Sequence, residues 1–293
     1  MTLVRQEGLE PRSPGGVRRR KALLAAAAEH LLLILLAGLV LIPFVWMLAT
    51  SIKPADQIFG EPLDLLPDRL ALAENYGKAL FSVPMLGFML NGLVVVMGIL
   101  LVQVAVALFA GYALAKLEFR GRGLLFACVV FGLCVPIQVP ALPLYLALAE
   151  LRALDTYFAL MVPFFLSVFA IFLFRQFFKG YPDDVIQAAR LDGMTEVEVV
   201  LRLILPSARP AIAAFAVFSI TAHWNDLYWP LIAVNSMDRA TPPLGMLLFK
   251  DSELSADFGA LTAGAAIITL PLLVVFMLAQ RQFVRGITMT GFK

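Results

Sequence analysis

The residues of this 293-residue chain that could do chemistry are polar side chains interrupting long apolar stretches; the densest group is His223, Trp224, Asn225 and Asp226 with Tyr228 and Trp229. Aromatic faces beside hydrogen-bonding groups suit a polyhydroxylated solute, whose rings combine apolar C–H faces with a rim of hydroxyls. At helical spacing Trp224 and Tyr228 share a face with Leu231 below them, and His223 and Asp226, three apart, are placed to pair. A second reading fits the same residues: aromatics of a membrane-interface belt and polar groups that bond helix to helix. Asn91, Gln103 and Gln138 stand singly in apolar surroundings, which marks either a solute path or a helix–helix hydrogen bond. Covalent chemistry is not indicated. The sequence holds no G-x-x-x-x-G-K-[ST], H-E-x-x-H or G-x-S-x-G pattern, and His30 and His223 are too far apart to make a metal site by themselves. The expectation is a chain that is not an enzyme, with no catalytic or metal-ligating residues and no cofactor of its own.

The elements that hold these residues are set by composition. Hydrophobic residues make up 61% of the chain, charged residues 15%, and mean hydropathy is +0.87. Soluble domains are about half apolar and a quarter charged. Runs of roughly 20 apolar residues match the thickness of a bilayer core, so the expected fold class is an all-α polytopic membrane protein. Six spans are predicted, at 24–50, 88–116, 124–149, 157–178, 211–234 and 260–280. The cluster Pro136, Pro140 and Pro143 is expected to break or kink the third. Cys128 and Cys134, inside that span, are too few and too buried for a disulfide framework. Residues 1–22 read as a basic N-terminal tail and 23–293 as a single transmembrane domain with a polar loop at 179–210. A net charge of +2 gives no reason to expect nucleic acid.

Charge distribution orients the spans. The N-tail, the loops 116–123 and 179–210, Arg175 beside the latter, and the C-tail hold every Lys and Arg except Lys53, Arg69, Lys78, Arg152, Arg239 and Lys250. Short cytoplasmic loops carry the basic excess, which places both termini in the cytoplasm and agrees with an even number of spans.

The loop 179–210 is too elaborate for a connector. Pro182 suits a first helical position, Asp183 and Asp184 fall where the helix dipole favours negative charge, and Gly193 is a left-handed stop. The helix between them is about three turns long and must be held by packing; its small centre, Ala188 and Ala189, would let another surface approach. Thr195 and Glu198 form a capping-box pattern, and Val197, Val200, Leu201 and Ile204 fall on one apolar face of a second helix. Glu198 and Arg202 are an i,i+4 pair, and Pro206 ends that helix before Pro210 leads into the fifth span. The arrangement reads as a docking knob that passes force to a membrane helix.

These residues carry a resemblance. Positions 188–193 (Ala-Ala-Arg-Leu-Asp-Gly), then 204–206 (Ile-Leu-Pro) and Pro210, resemble the EAA loop of ABC importer permeases. Further stretches at 51–54, 111–122, 155–157, 174–178, 224–230 and 280–288 are similar, in the same order, to the smaller permease subunit of maltose-type (CUT1) carbohydrate importers, and the likeness covers nearly everything after residue 30. The resemblance implies that the short helix is a coupling helix seated in an ATPase subunit, with Asp184, Gln187, Ala188, Ala189, Leu191, Asp192, Gly193 and Pro206 as the coupling set. Gln187 stands where the family has Glu, so an ion pair from this position is in doubt while docking by shape is not.

The resemblance also implies a non-identical second permease, two ATPase subunits that use ATP and Mg, an extracytoplasmic solute-binding protein, surrounding lipid, and residence in a prokaryotic inner membrane. On that reading Asn91, Gln138, His223, Trp224, Asn225, Asp226 and Tyr228 line half of a translocation pathway for a carbohydrate. Glycerol phosphate is the alternative within the family. An ion-coupled secondary carrier is the alternative outside it; that mechanism wants buried titrating carboxylates and inverted repeats, against which Asp226 is the one intramembrane carboxylate away from span ends and no repeat is visible.

Overall fold

The computed structural model describes residues 16–59, 67–249 and 257–289, and the side chains of these except 16–20, 22 and 281–289. The described residues are mostly helical, joined by turns and irregular segments, with no strand among them. The basic segment 1–15, Lys250 and the last four residues lie outside them.

Three helices are each long and apolar enough to cross a membrane: α1 (Gly16–Ser51), α3 (Met85–Lys116) and α13 (Phe258–Met289). Two bent pairs raise the number to five. In the first, α6 (Tyr157–Phe164) and α7 (Val168–Lys179) meet at 44°, where Ser167 Oγ caps α7 by accepting from Ala170 N at 3.2 Å. In the second, α9 (Glu196–Ser207) meets α10 (Arg209–Trp224) at 77°. The short helix α2 (Leu72–Phe81) precedes α3, and α8 (Asp183–Leu191) lies between the two bent pairs.

Several expected spans differ in form. The first helix starts at Gly16, taking in basic residues expected to belong to the tail. The third stretch is two helices, α4 (Arg122–Gly132) and α5 (Gln138–Glu150), separated at 133–137, where Pro136 lies; a proline nitrogen has no hydrogen to donate to the preceding turn, while Pro140 and Pro143 of the expected breaking cluster fall inside α5. Cys128 and Cys134 are exposed on the α4 side, not buried. The fifth stretch breaks at 225–227, and a short α11 (Tyr228–Ala233) follows. The one-turn α12 (Pro242–Gly245) leads back towards α13.

Packing centres on α3, which lies along α7 and also meets α10. Gly111 makes the α3–α7 approach possible. A Cβ there would lie 3.0 Å from the Arg175 backbone nitrogen and 3.0 Å from Phe174 Cβ. Arg175 is buried in this seam. Its Nε donates to the Leu114 carbonyl at 3.1 Å, and its guanidinium lies 3.5 Å from the centre of the Phe126 ring. The contact offsets part of the cost of a buried cation. By contrast α1 packs mainly on α13, and its leucines are exposed nearly all round, an apolar surface of the kind a bilayer covers.

Candidate functional site

The loop 179–210 folds as a short helix with both ends defined. Pro182 is the residue just before α8, not its first turn, because its backbone is extended (φ −62°, ψ 128°). Asp183 and Asp184 occupy the first turn and Arg190 the last, each sign matched to the helix dipole. At the far end Gly193 adopts φ +83°. Its N–H donates to the Arg190 carbonyl at 3.1 Å, and that of Met194 to Ala189 at 3.0 Å, a pattern that pairs carbonyls a helix end would otherwise leave open. The expected capping box is present: Thr195 Oγ1 accepts from Glu198 N, and the Glu198 carboxylate accepts from Thr195 N.

The helix has two dissimilar faces. Ile186 and Ala189 are buried in a cluster with Tyr112, Phe174, Phe178, Val199 and Val200. Asp184, Gln187, Ala188, Leu191, Asp192 and Gly193 are exposed, and Leu191 is 89% exposed. Ala189, expected on the docking face, is therefore a packing residue of the chain's own core. Pro206 is exposed and lies inside the last turn of α9, which runs on to Ser207 and does not end at the proline as expected.

The second helix departs from the expected pattern. Residues 199–204 form a π-helix; the Leu205 N–H donates to the Val200 carbonyl, five residues back. Pro206 cannot supply the hydrogen that an α-ladder would need at the Arg202 carbonyl. The wider turn buries Val199, Val200 and Ile204, while Val197 and Leu201, expected to share one apolar face with Val200 and Ile204, are exposed. The Glu198–Arg202 pair forms at 3.3 Å.

Two residues near the end of α3, Tyr112 and Lys116, which the sequence did not single out, are tied to this loop. Tyr112 Oη donates to Glu196 Oε2 at 2.5 Å, and Arg190 Nε donates to Glu196 Oε1 at 2.7 Å. Burial works against the Glu196 carboxylate, but Arg190 and the Tyr112 hydroxyl outweigh it and hold its pKa below the ordinary value. One turn further along α3, Lys116 Nζ donates to Asp183 Oδ1 at 2.5 Å and to the Tyr181 carbonyl at 2.6 Å. Its side chain is 7% exposed. The available signal was the i,i+4 spacing of Tyr112 and Lys116, which puts both on one face of α3. Lys116 also lines a cleft of about 490 Å³ with Arg122, Lys179, Asp183, Gln187 and Arg190.

The polar residues of the spans separate into two groups. Asn91 is buried and bonded within the chain: it donates to the carbonyls of Asp238 (2.9 Å) and Ala240 (3.0 Å) and accepts from Tyr157 Oη at 2.6 Å. Trp224 is also buried, its Nε1 donating to the Ile268 carbonyl at 2.9 Å. Gln138, Asn225 and Tyr228 are exposed, and His223 and Asp226 partly so. His223 and Asp226 do not form the expected pair, because α10 ends at Trp224 and turns the carboxylate away; Asp226 Oδ1 instead accepts from Trp229 N at the start of α11. The same break removes the helical face expected to unite Trp224, Tyr228 and Leu231.

His223 is held from α3. Gln103 Nε2 donates to the Phe164 carbonyl at 2.8 Å, and its Oε1 accepts from Ser219 Oγ at 2.7 Å. A carbonyl only accepts, so the Phe164 bond fixes which end of the Gln103 amide is nitrogen. The same NH₂ faces His223 Nε2 at 3.2 Å. Nε2 is then the acceptor, and the ring hydrogen sits on Nδ1. The imidazole also lies 4.6 Å, centre to centre, from Phe164. The bonds and ring contacts of Gln103, Ser219 and His223 involve no Lys or Arg.

Residues 103–289 match the family model described as binding-protein-dependent transport system inner membrane component. The chain is 30% identical over 266 residues to the arabinooligosaccharides transport system permease protein AraQ of Bacillus subtilis (strain 168), covering 88% of this chain and 92% of the relative. It is 31% identical over 258 residues to the diacetylchitobiose uptake system permease protein NgcG of Streptomyces coelicolor, with 87% and 85% covered. Similarity also extends to the sn-glycerol-3-phosphate transport system permease protein UgpE of Escherichia coli, 28% identical over 261 residues with 86% and 93% covered. The fold matches a chain of a bacterial ABC transporter involved in the import of the acidic polysaccharide alginate, with a TM-score of 0.77 at 20% identity, covering 94% of this chain and all of that one.

Proposed function

Because the chain belongs to the family of binding-protein-dependent transport system inner membrane components, a permease subunit whose ATPase is a separate subunit, we propose that it forms half of the import pathway for a carbohydrate. The observation that carries this reading is the two-faced α8: Ile186 and Ala189 are buried inward, while Leu191 and its neighbours stand outward with nothing of this chain over them among the described residues.

In this reading α4 and α5 together make a broken sixth span, and both termini lie in the cytoplasm with α8. The exposed face of α8, including Asp184, Gln187, Ala188, Leu191, Asp192 and Gly193, seats in one of two ATPase subunits that use MgATP; Pro206 supports the far side of the loop. A second, non-identical permease completes the pathway, and an extracytoplasmic binding protein delivers the solute. ATP binding closes the ATPase pair, draws the coupling helices together and favours the outward-open state; hydrolysis releases it.

On the pathway, Gln138, His223, Asn225, Asp226 and Tyr228 offer hydrogen bonds and an aromatic face, and Asn91 and Trp224 brace the wall behind them. Among the described residues no Lys or Arg bonds to His223 or stacks on its ring, which favours a neutral sugar over a phosphate, since a phosphate would call for Arg or Lys. Carbohydrates named for the relatives AraQ and NgcG support the same class.

The test is uptake into vesicles holding the assembled complex with its binding protein, offered arabinotriose, diacetylchitobiose or sn-glycerol 3-phosphate. The reading expects accumulation of a sugar that requires ATP and survives dissipation of ion gradients. Uptake that continues without ATP and collapses with an ion gradient contradicts it.

A further inference from the structure

The loop that bears α8 continues in sequence into α9 and α10, yet its strongest side-chain ties run to α3. We infer that α3, gripped at Tyr112 and Lys116, is the membrane helix that receives the displacement of α8, with α10 following it. This rests on the proposed docking of α8 on an ATPase subunit.

Three observations carry the inference. First, the ties bracket α8. Asp183, at its start, bonds Lys116, and Glu196, just beyond its end, bonds Tyr112. Arg190, in the last turn of α8, holds the other oxygen of the same Glu196 carboxylate. A body fixed at two points on one face of a helix cannot pivot freely against it. These contacts are charge-assisted and short, and the groups on α3 are largely withdrawn from water, which strengthens them.

Second, the covalent route to α10 is poorly shaped for a push. It passes through the π-helical turns of 199–204, through Pro206, and round a 77° bend before Pro210. A bend of that size passes little of an axial displacement along the next helix. Third, α3 is joined to the rest of the bundle. Gly111, next to Tyr112, lets its backbone reach that of Phe174 and Arg175 on α7, and Gln103 on the same helix holds Ser219 and His223 of α10. A displacement entering α3 at Tyr112 therefore reaches the polar cluster within a single rigid element.

Tyr112 is a positioning residue acting through Glu196, and its test must separate coupling from stability. The assembled complex, with Cys128 and Cys134 changed to Ser, takes a spin label at Leu86, 71% exposed at the other end of α3, and a second label on the partner permease. Magnesium AMP-PNP is the probe. In the unaltered complex it raises the population with the longer label-to-label distance. Tyr112→Phe removes one oxygen and keeps the ring in its core; the inference expects the AMP-PNP-driven shift to weaken about fivefold or more, while ATP hydrolysis and cross-linking from Leu191→Cys to the ATPase subunit persist. Glu196→Gln, which still accepts from Tyr112 but loses its charge, is expected to fall between. A tie that served stability alone would lower the melting temperature and leave the shift of the folded fraction unchanged. An unchanged shift with the cross-link intact overturns the role of α3 and leaves docking standing. Absence of the cross-link in a complex that carries Leu191→Cys with Tyr112 and Glu196 intact overturns docking, and the inference with it.

Discussion

Ala188 and Ala189 are adjacent in the chain and face opposite ways: Ala188 is exposed, and Ala189 is 5% exposed against the core that holds Ile186, Tyr112 and Phe178. Two substitutions that look alike in sequence should therefore fail differently. Ala188→Trp is expected to leave the melting temperature unchanged and to abolish binding-protein-stimulated ATP hydrolysis in the complex. Ala189→Trp overpacks the core at a cost of about 1–3 kcal/mol, seen first as a lowered melting temperature. Equal thermal losses in the two would contradict the two-faced helix.

Gly193 has open space where a Cβ would stand, so its requirement is backbone and not room. At φ +83° any L side chain is strained, by roughly 1–2 kcal/mol. Gly193→Ala should lower stability by about that amount and speed amide exchange at Met194, whose N–H closes the end of α8. A neutral result would mean that the turn re-forms another way.

The anchoring of α8 should depend on acid. Glu196 has a folded pKa below the ordinary 4.5, so its contribution is fully present above that value and is lost as pH falls through the lower folded value. Amide protection of α8 is expected to be flat from pH 8 to about 5 and to decline in more acid solution. Glu196→Gln should remove much of this decline. The remainder belongs to Glu198, whose carboxylate the Thr195 backbone N–H, with the Thr195 hydroxyl and Arg202, holds below its ordinary value.

His223 should show a single tautomer. The chain has two histidines, so ¹⁵N-histidine labelling of the complex in lipid, with His30→Gln for assignment, reads the ring directly. The expected signal is a protonated Nδ1 and a bare Nε2. Gln103→Leu removes the amide that imposes this state and should produce a mixture. A protonated Nε2 in the unaltered chain would contradict the Gln103 arrangement.

The features legible in the sequence are those whose cause is local. Thr195 and Glu198 cap each other across three residues, Gly193 closes a helix because of its own backbone freedom, and Pro136, with no hydrogen to donate, lies in the break between α4 and α5. What was missed depends on distant or geometric partners. His223 is set by Gln103, 120 residues away, and not by Asp226 three residues on. The buried face of α9 follows a π-helical turn, for which the 3.6-residue pattern of Val197, Val200, Leu201 and Ile204 is the wrong template. Tyr112 and Glu196 are 84 residues apart, and neither alone distinguishes a tie from an ordinary surface group.

Docking of α8 on a nucleotide-hydrolysing subunit is the central claim, and site-specific cross-linking from Leu191→Cys in the assembled complex tests it most directly. A product with the ATPase subunit is expected to form efficiently and to be lost when Ala188→Trp is added. A reactive group at Leu191 that labels only lipid or is quenched by water, in a complex active in ATP-driven uptake, would contradict it.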